Sequence, residues 1–142
     1  MDNYMKLEFL AKSENEGFAR SAVAAFVARL DPTVEEICDI KTAVSEAVTN
    51  AVIHGYEKKS GNVMLTTYIK GSEVTIIVED FGIGMNDVSK CREPLYTGKP
   101  EFERSGMGFT VMESFTDECL VHSVPNIGTR VTMIKMIGDK SE

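Results

Sequence analysis

Residues Lys6 to Leu10 alternate roughly between polar and apolar, the pattern of a short strand. Beyond them Ser13 and Glu16 form an S-x-x-E spacing that predicts a capped helix start. Phe18, Ala22, Val23, Phe26, Val27 and Leu30 recur at helical spacing until Asp31-Pro32, where proline brings no N–H to the ladder. Thr33 and Glu36 repeat the capping signal, and Ile37, Ile40, Val44, Val48 and Ala51 or Val52 carry a second apolar stripe up to His54-Gly55.

Past Lys58-Lys59-Ser60-Gly61 the pattern changes. Asn62 to Ile69 and Glu73 to Asp80 are rich in β-branched residues and flank Lys70-Gly71-Ser72, which predicts an antiparallel hairpin. A helix from about Gly108 to Phe115 precedes a second hairpin, Glu118 to Val124 and Thr129 to Ile137, around Pro125-Asn126-Ile127-Gly128. Between the hairpins, Phe81 to Met107 holds Gly82, Gly84, Pro94, Gly98, Pro100 and Gly106 with little periodicity, and a stretch of that length reads as a lid or binding loop. Helices followed by paired antiparallel strands predict an α+β fold, a sheet with helices on one face.

At 142 residues, 43% hydrophobic and 26% charged, the chain has the size and apolar content of a single domain spanning 1–142 with one core. Lys and Arg total 15 against 22 Asp and Glu, a formal net charge of -7, so no overall positive field invites nucleic acid. A nucleotide remains compatible, because it brings a metal ion and is held by local backbone N–H groups. No apolar run approaches the roughly 20 residues needed to span a bilayer, so a cytoplasmic protein without membrane contact is expected. Cys38, Cys91 and Cys119 are odd in number and lack C-x-x-C spacing, which points to reduced structural thiols, with Cys38 packed in the second helix.

Three groups of residues carry candidate chemistry. Glu46, Asn50 and His54 recur every four residues on the second helix, beside its apolar stripe. A carboxylate and a carboxamide one turn apart offer oxygen ligands to Mg²⁺ or a base beside a bound phosphate; the same spacing also describes a solvated polar face. Asp80-Phe81-Gly82-Ile83-Gly84 presents an acid at a strand end, either to accept a hydrogen bond from an exocyclic amine such as that of adenine or to cap a tight turn. The triplet Asp80-Phe81-Gly82 is shared with eukaryotic protein kinases, but the G-x-G-x-x-G and H-R-D elements of that fold are missing. Arg104-Ser105-Gly106-Met107-Gly108 opens the third helix, whose N-terminal N–H groups would cradle phosphate with Lys99 and Arg104 adding charge; the alternative is a plain glycine entry to a helix.

The order of these groups is more specific than any one of them. With Glu46-Ala47-Val48-Thr49-Asn50 as N box, Asp80 to Gly84 as first glycine box and Arg104 to Gly108 as second, the sequence resembles the GHKL ATPase superfamily of histidine kinases, gyrase B, Hsp90 and MutL. That resemblance implies the Bergerat fold, a two-layer α/β sandwich, with a lid at about 85–107. Ser45 to Ala51, His54-Gly55-Tyr56, Lys99-Pro100-Glu101 and Glu103 to Phe109 are further similar to the anti-sigma F factor family. So are Ser13-Glu14-Asn15-Glu16, Phe18-Ala19-Arg20 and Leu30-Asp31-Pro32, and the likeness covers nearly the whole chain.

Members of that family are homodimers that hold sporulation sigma factor F and use ATP to phosphorylate a serine of an anti-anti-sigma factor. The resemblance implies Glu46 as general base, Asn50 as Mg²⁺ ligand, Asp80 as adenine contact and Arg104 as γ-phosphate contact. It places His54, Gly82, Gly84, Thr97, Lys99, Ser105, Gly106, Met107 and Gly108 around ATP or ADP. Arg20 matches the family's partner-contact arginine, although its spacing alone describes an exposed helix arginine. The lid departs from the usual Thr-Thr-Lys-Pro at Thr97-Gly98-Lys99-Pro100, which removes a hydroxyl at Gly98. The rivals are a sister kinase with a different sigma factor, a nucleotide-gated binding module in which Glu46 has no required task, and a histidine kinase domain. The last lacks a phospho-accepting histidine helix, since His54 and His122 are the only histidines.

Overall fold

The two helix starts that look alike in sequence behave differently in the fold. The computed structural model describes residues 2–55, 61–81 and 104–138, with residues 54–55 and 104–109 described through their backbone. The order is β1 (Asn3–Leu10), α1 (Asn15–Val27), a 3-10 turn (Ala28–Leu30), α2 (Val34–Asn50) and a π-helical turn (Ala51–Gly55). Then follow β2 (Asn62–Lys70), β3 (Glu73–Asp80), α3 (Arg104–Phe115), β4 (Glu118–Val124) and β5 (Gly128–Met136).

At α2 the expected capping box forms. Glu36 N donates to Thr33 Oγ1 at 3.0 Å and Thr33 N donates to Glu36 Oε1 at 2.8 Å. At α1 it does not: no side chain caps the helix, and the Glu16 carboxylate turns instead to Arg20, whose Nη1 lies 3.0 Å away. A charge-assisted bond to a guanidinium is stronger than one to a neutral backbone N–H, so Glu16 leaves the cap. The end of α1 follows expectation, with Asp31 in the left-handed region at φ 56° and its N–H bonded to Ala28 O, just before Pro32.

The strands form one five-stranded antiparallel sheet in the order β1-β2-β3-β5-β4. Both predicted hairpins are present, and they are joined in the sheet by β3 pairing with β5, Asp80 opposite Thr129. β1 extends three residues before Lys6 and adds to the β2 edge. Alternate residues face the helices: Val63, Leu65, Thr67 and Ile69 of β2, Val74, Ile76 and Val78 of β3, and Val131 and Met133 of β5 are buried. Ala19, Val23 and Val27 of α1 and Ile40, Ala43, Val44, Ala47 and Val48 of α2 meet them in one core, with Met112 of α3 completing it. The stripe on α1 is thus turned from the one expected, because Phe18 is 60% exposed while Ala19 is buried. A small residue there lets α1 approach α2 closely.

The opposite face of the sheet has no helix layer among the described residues. Cross-strand rows such as Lys6–Thr66–Ile77–Thr132–Leu120 run across it. Tyr4, Leu10 and Leu120 are exposed there, and the rings of Tyr4 and Tyr68 pair with centroids 6.2 Å apart. No helix among the described residues is long and apolar enough to cross a membrane. Cys119 is buried and forms no disulfide among the described residues, whereas Cys38 is exposed, contrary to the packed position expected for it.

Candidate functional site

α2 carries the first candidate residues, and its apolar stripe fixes which way it faces the sheet. Asn50, at its last residue, is 6% exposed, so it sits inside the edge of the core rather than on a solvated flank. Among the described residues its Nδ2 has no hydrogen-bond partner. A buried polar atom left alone costs roughly 1–3 kcal/mol, which a ligand would relieve. The two ends of a carboxamide exchange by a half turn of the group. The uncommitted position therefore suits either a donor to phosphate or an oxygen to a hard divalent cation.

Asp80 ends β3, also 6% exposed. The π-helical turn that follows Asn50 packs against β3, the strand that Asp80 ends, and α3, which opens at Arg104, packs against α2. The β4–β5 turn closes over the end of β3: a Cβ on Gly128 would stand 2.2 Å from the Asp80 carbonyl oxygen. Thr129, buried beside it, shares a hydrogen bond of 2.8 Å with Ser123. At the same end, mainly on the sheet face turned away from the helices, a cavity of about 270 Å³ is lined by Glu79, Phe81, His122, Ile127 and Arg130, with Asp80 at its rim. Among the described residues no cluster of three His, Cys, Asp or Glu is present. A Mg²⁺ ion needs none, since it keeps waters and shares its ligands with the phosphates of its nucleotide.

The helix at the second glycine box begins at Arg104, four residues before the start expected at Gly108, so Gly106 and Gly108 fall in its first turns. Ser105 and Met107 lie on the same turns, and His54 lies in the π-helical turn. Gly82, Gly84, Thr97 and Lys99, with Cys91 and most of the lid, are outside the described residues.

Arg20 is brought closer to this chemistry than its sequence position suggested. Its guanidinium reaches Glu16 at 3.0 Å and Ser45 Oγ at 3.2 Å, and the Ser45 hydroxyl donates to the same Glu16 carboxylate. Ser45 immediately precedes Glu46, and both line a cavity of about 320 Å³ with Arg20, Cys38, Lys41 and Thr42. The sequence pattern assigns no site role to Lys41, Ser45 or Gly128, although Ser45 falls in the family-like segment and Gly128 in the predicted turn. For Lys41 and Ser45 the one available signal was their spacing of four, which puts them on one face of α2.

Comparison with known proteins places this architecture. Residues 9–135 match the family model of the histidine kinase-like ATPase domain. A crystal structure of the RsbU and RsbW domains of a Mycobacterium tuberculosis protein superposes with a TM-score of 0.68 at 19% identity, covering 95% of this chain and 32% of that one, a likeness of fold. Together these define a GHKL-type nucleotide-binding domain. An anti-sigma F factor of Clostridium kluyveri is 59% identical over 140 residues, 99% of each chain. One of Clostridium perfringens is 63% identical over 136 residues, 95% of this chain and 97% of the relative, and one of a Thermoanaerobacter species is 58% identical over 96% of this chain and 95% of its own. The chain belongs to the anti-sigma F factor family.

Proposed function

We propose that this chain, acting in the cytoplasm as one domain over 1–142, holds sporulation sigma factor F and phosphorylates a serine of an anti-anti-sigma factor. The observation that carries the reading is Asn50, a buried carboxamide with an uncommitted end one helical turn after Glu46, in a histidine kinase-like ATPase domain. An inert polar helix face has no reason to bury an unpaired amide.

Mg²⁺, held by Asn50 and the nucleotide, would supply charge neutralisation on the phosphates. Asp80 takes the exocyclic amine of adenine, and Gly82, Gly84, Gly106 and Gly108 let the backbone approach the nucleotide. His54, Thr97, Lys99, Ser105 and Met107 line it, and Arg104 steadies the γ-phosphate. Glu46 accepts the proton of the partner's serine as its oxygen bonds to the γ-phosphorus; the bond to the bridging oxygen breaks and ADP leaves. Positioning and charge stabilisation carry most of such a transfer. Arg20 contacts the protein partner from the wall it shares with Glu46. The open sheet face, with Tyr4, Ile77, Leu120 and Ile134 between charged margins, suits the contact between two copies in a homodimer.

The test is incubation of the purified chain with γ-labelled Mg·ATP and a sporulation anti-anti-sigma protein, with capture of sigma factor F in ATP and in ADP. Label on a partner serine with nucleotide-dependent capture supports both activities. Capture without label overturns the kinase part, and label without capture of this sigma factor points to a different one. Glu46→Gln is expected to keep ATP binding and abolish transfer; retained transfer removes Glu46 as the base.

A further inference from the structure

The cavity between α1 and α2 holds two cations of unequal status. Arg20 is already engaged, with Glu16 at 3.0 Å and Ser45 at 3.2 Å. Lys41 is half-buried on the same wall and makes no ion pair or side-chain hydrogen bond among the described residues. Its close neighbour in sequence, Asp39, is taken by Lys135 at 3.4 Å. Around Lys41 the lining consists of the Thr42 and Ser45 hydroxyls and the Cys38 thiol, and Glu46 stands on the same wall. Spacing explains the grouping: Lys41 and Ser45 are one turn apart, as are Thr42 and Glu46, so the two pairs run side by side along α2.

A partly buried ammonium loses some of its hydration, and a protein of net charge -7 has many carboxylates that could serve as partners. That none among the described residues does leaves a positive point in an acidic molecule, on the wall it shares with the proposed base. We infer that Lys41 is a specificity-determining residue for the transfer reaction, receiving the carboxylate of an Asp or Glu that lies close to the acceptor serine of the protein substrate. This rests on the kinase reading above. Arg20 and Glu16 remain paired in this account, so among the described residues Lys41 is the cation of this wall left to answer an incoming acid. Its ammonium holds the acidic side chain while the serine reaches Glu46, and no covalent step involves it.

Steady-state phosphorylation of an anti-anti-sigma protein by the full chain tests this, comparing wild type with Lys41→Ala, Lys41→Arg and Lys41→Glu. Lys41→Ala is expected to raise the KM for the acceptor protein about fivefold, the worth of one partly exposed charge pair. Lys41→Glu is expected to raise it further and Lys41→Arg to stay near wild type, with kcat at saturating acceptor and the KM for ATP unchanged. Acceptor variants that replace each Asp or Glu near the serine by Ala complete the cycle: one of them loses about fivefold against wild type and nothing against Lys41→Ala. An unchanged acceptor KM in Lys41→Ala, equal effects of Ala and Arg, a matching loss in ATP affinity, or no coupled acceptor carboxylate each overturn the assignment. Absence of transfer by the wild type is a separate result, which overturns the kinase reading and this inference with it.

Discussion

Gly128 lies against the end of β3 so closely that a Cβ would stand 2.2 Å from the Asp80 carbonyl oxygen and 2.9 Å from the Phe81 Cα. Its φ of 148° is also a conformation that side chains disfavour. The β4–β5 turn therefore helps fix where β3 stops, and with it where the Asp80 carboxyl stands. Gly128→Ala is expected to cost about 2 kcal/mol or more, through a clash with backbone that has no flexible atom to yield. Gly71→Ala is the comparison, since Gly71 has φ 59° with open space around it and should cost about 1 kcal/mol. Urea unfolding midpoints measure both, and an equal loss at the two sites counts against the contact. Gly128→Ala is further expected to weaken nucleotide binding, whereas Gly71→Ala is not.

The orphaned Nδ2 of Asn50 predicts a separation between binding and stability. Asn50→Ala removes a buried group that the protein alone does not satisfy, so apo stability should change by less than about 1 kcal/mol. Mg²⁺-dependent ATP affinity should fall about tenfold or more, the order lost when one charge-assisted contact of about 1.5 kcal/mol is removed. Calorimetric titration with and without Mg²⁺ reads this directly, and an unchanged affinity would argue against Asn50 as the metal ligand.

Thr67, fully buried in the middle of β2, also has a hydroxyl without a partner among the described residues. Replacement by the isosteric Val exchanges an unsatisfied oxygen for a methyl group among apolar neighbours. Thr67→Val is expected to be neutral or to stabilise by up to about 1 kcal/mol, measured by thermal or denaturant unfolding. A clear loss of stability would show that the hydroxyl has a role in the folded chain.

Glu36 ties the start of α2 to the residues after β5, since its carboxylate accepts N–H bonds from Thr33 at 2.8 Å and from Gly138 at 2.9 Å. The Thr33 backbone bond and then the Gly138 bond hold its pKa below the ordinary glutamate value. A carboxyl group whose pKa falls on folding binds protons more tightly in the unfolded chain. Its stabilisation is present above the unfolded value of about 4.3 and is lost as pH falls through the lower folded value. Glu36→Gln should therefore lower stability at neutral pH by a small amount, and its difference from wild type should shrink on acidification. A difference that is constant with pH would remove the carboxylate as the cause.

Much of the local structure was legible in the chain. The alternation in β2 and β3, the glycine turn between them and the Thr33–Glu36 box are consequences of neighbours a few residues apart, and the structure places them where that pattern predicts. At α1 the capping signal lost to a charged neighbour one turn along the helix, backed by a distant hydroxyl. Glu16 left its cap for Arg20 and Ser45, and the latter lies 29 residues away on another helix. Phe18 turned outward because the short side chain of Ala19 lets α1 lie on α2. The order of the candidate boxes was readable from sequence, but the packing of the π-helical turn on β3 and of α3 against α2 was not.

Periodicity, capping chemistry and turn residues act over one or two helical turns, so the sequence by itself determined the elements, the residue types available for chemistry and the family pattern. Tertiary structure alone decided three things: that Asn50 is buried with an uncommitted amide, that Gly128 abuts Asp80, and that Arg20, Lys41 and Glu46 share one cavity. Each joins segments far apart in the chain. Such contacts exist only once burial of the common apolar core has set the helices and strands against one another.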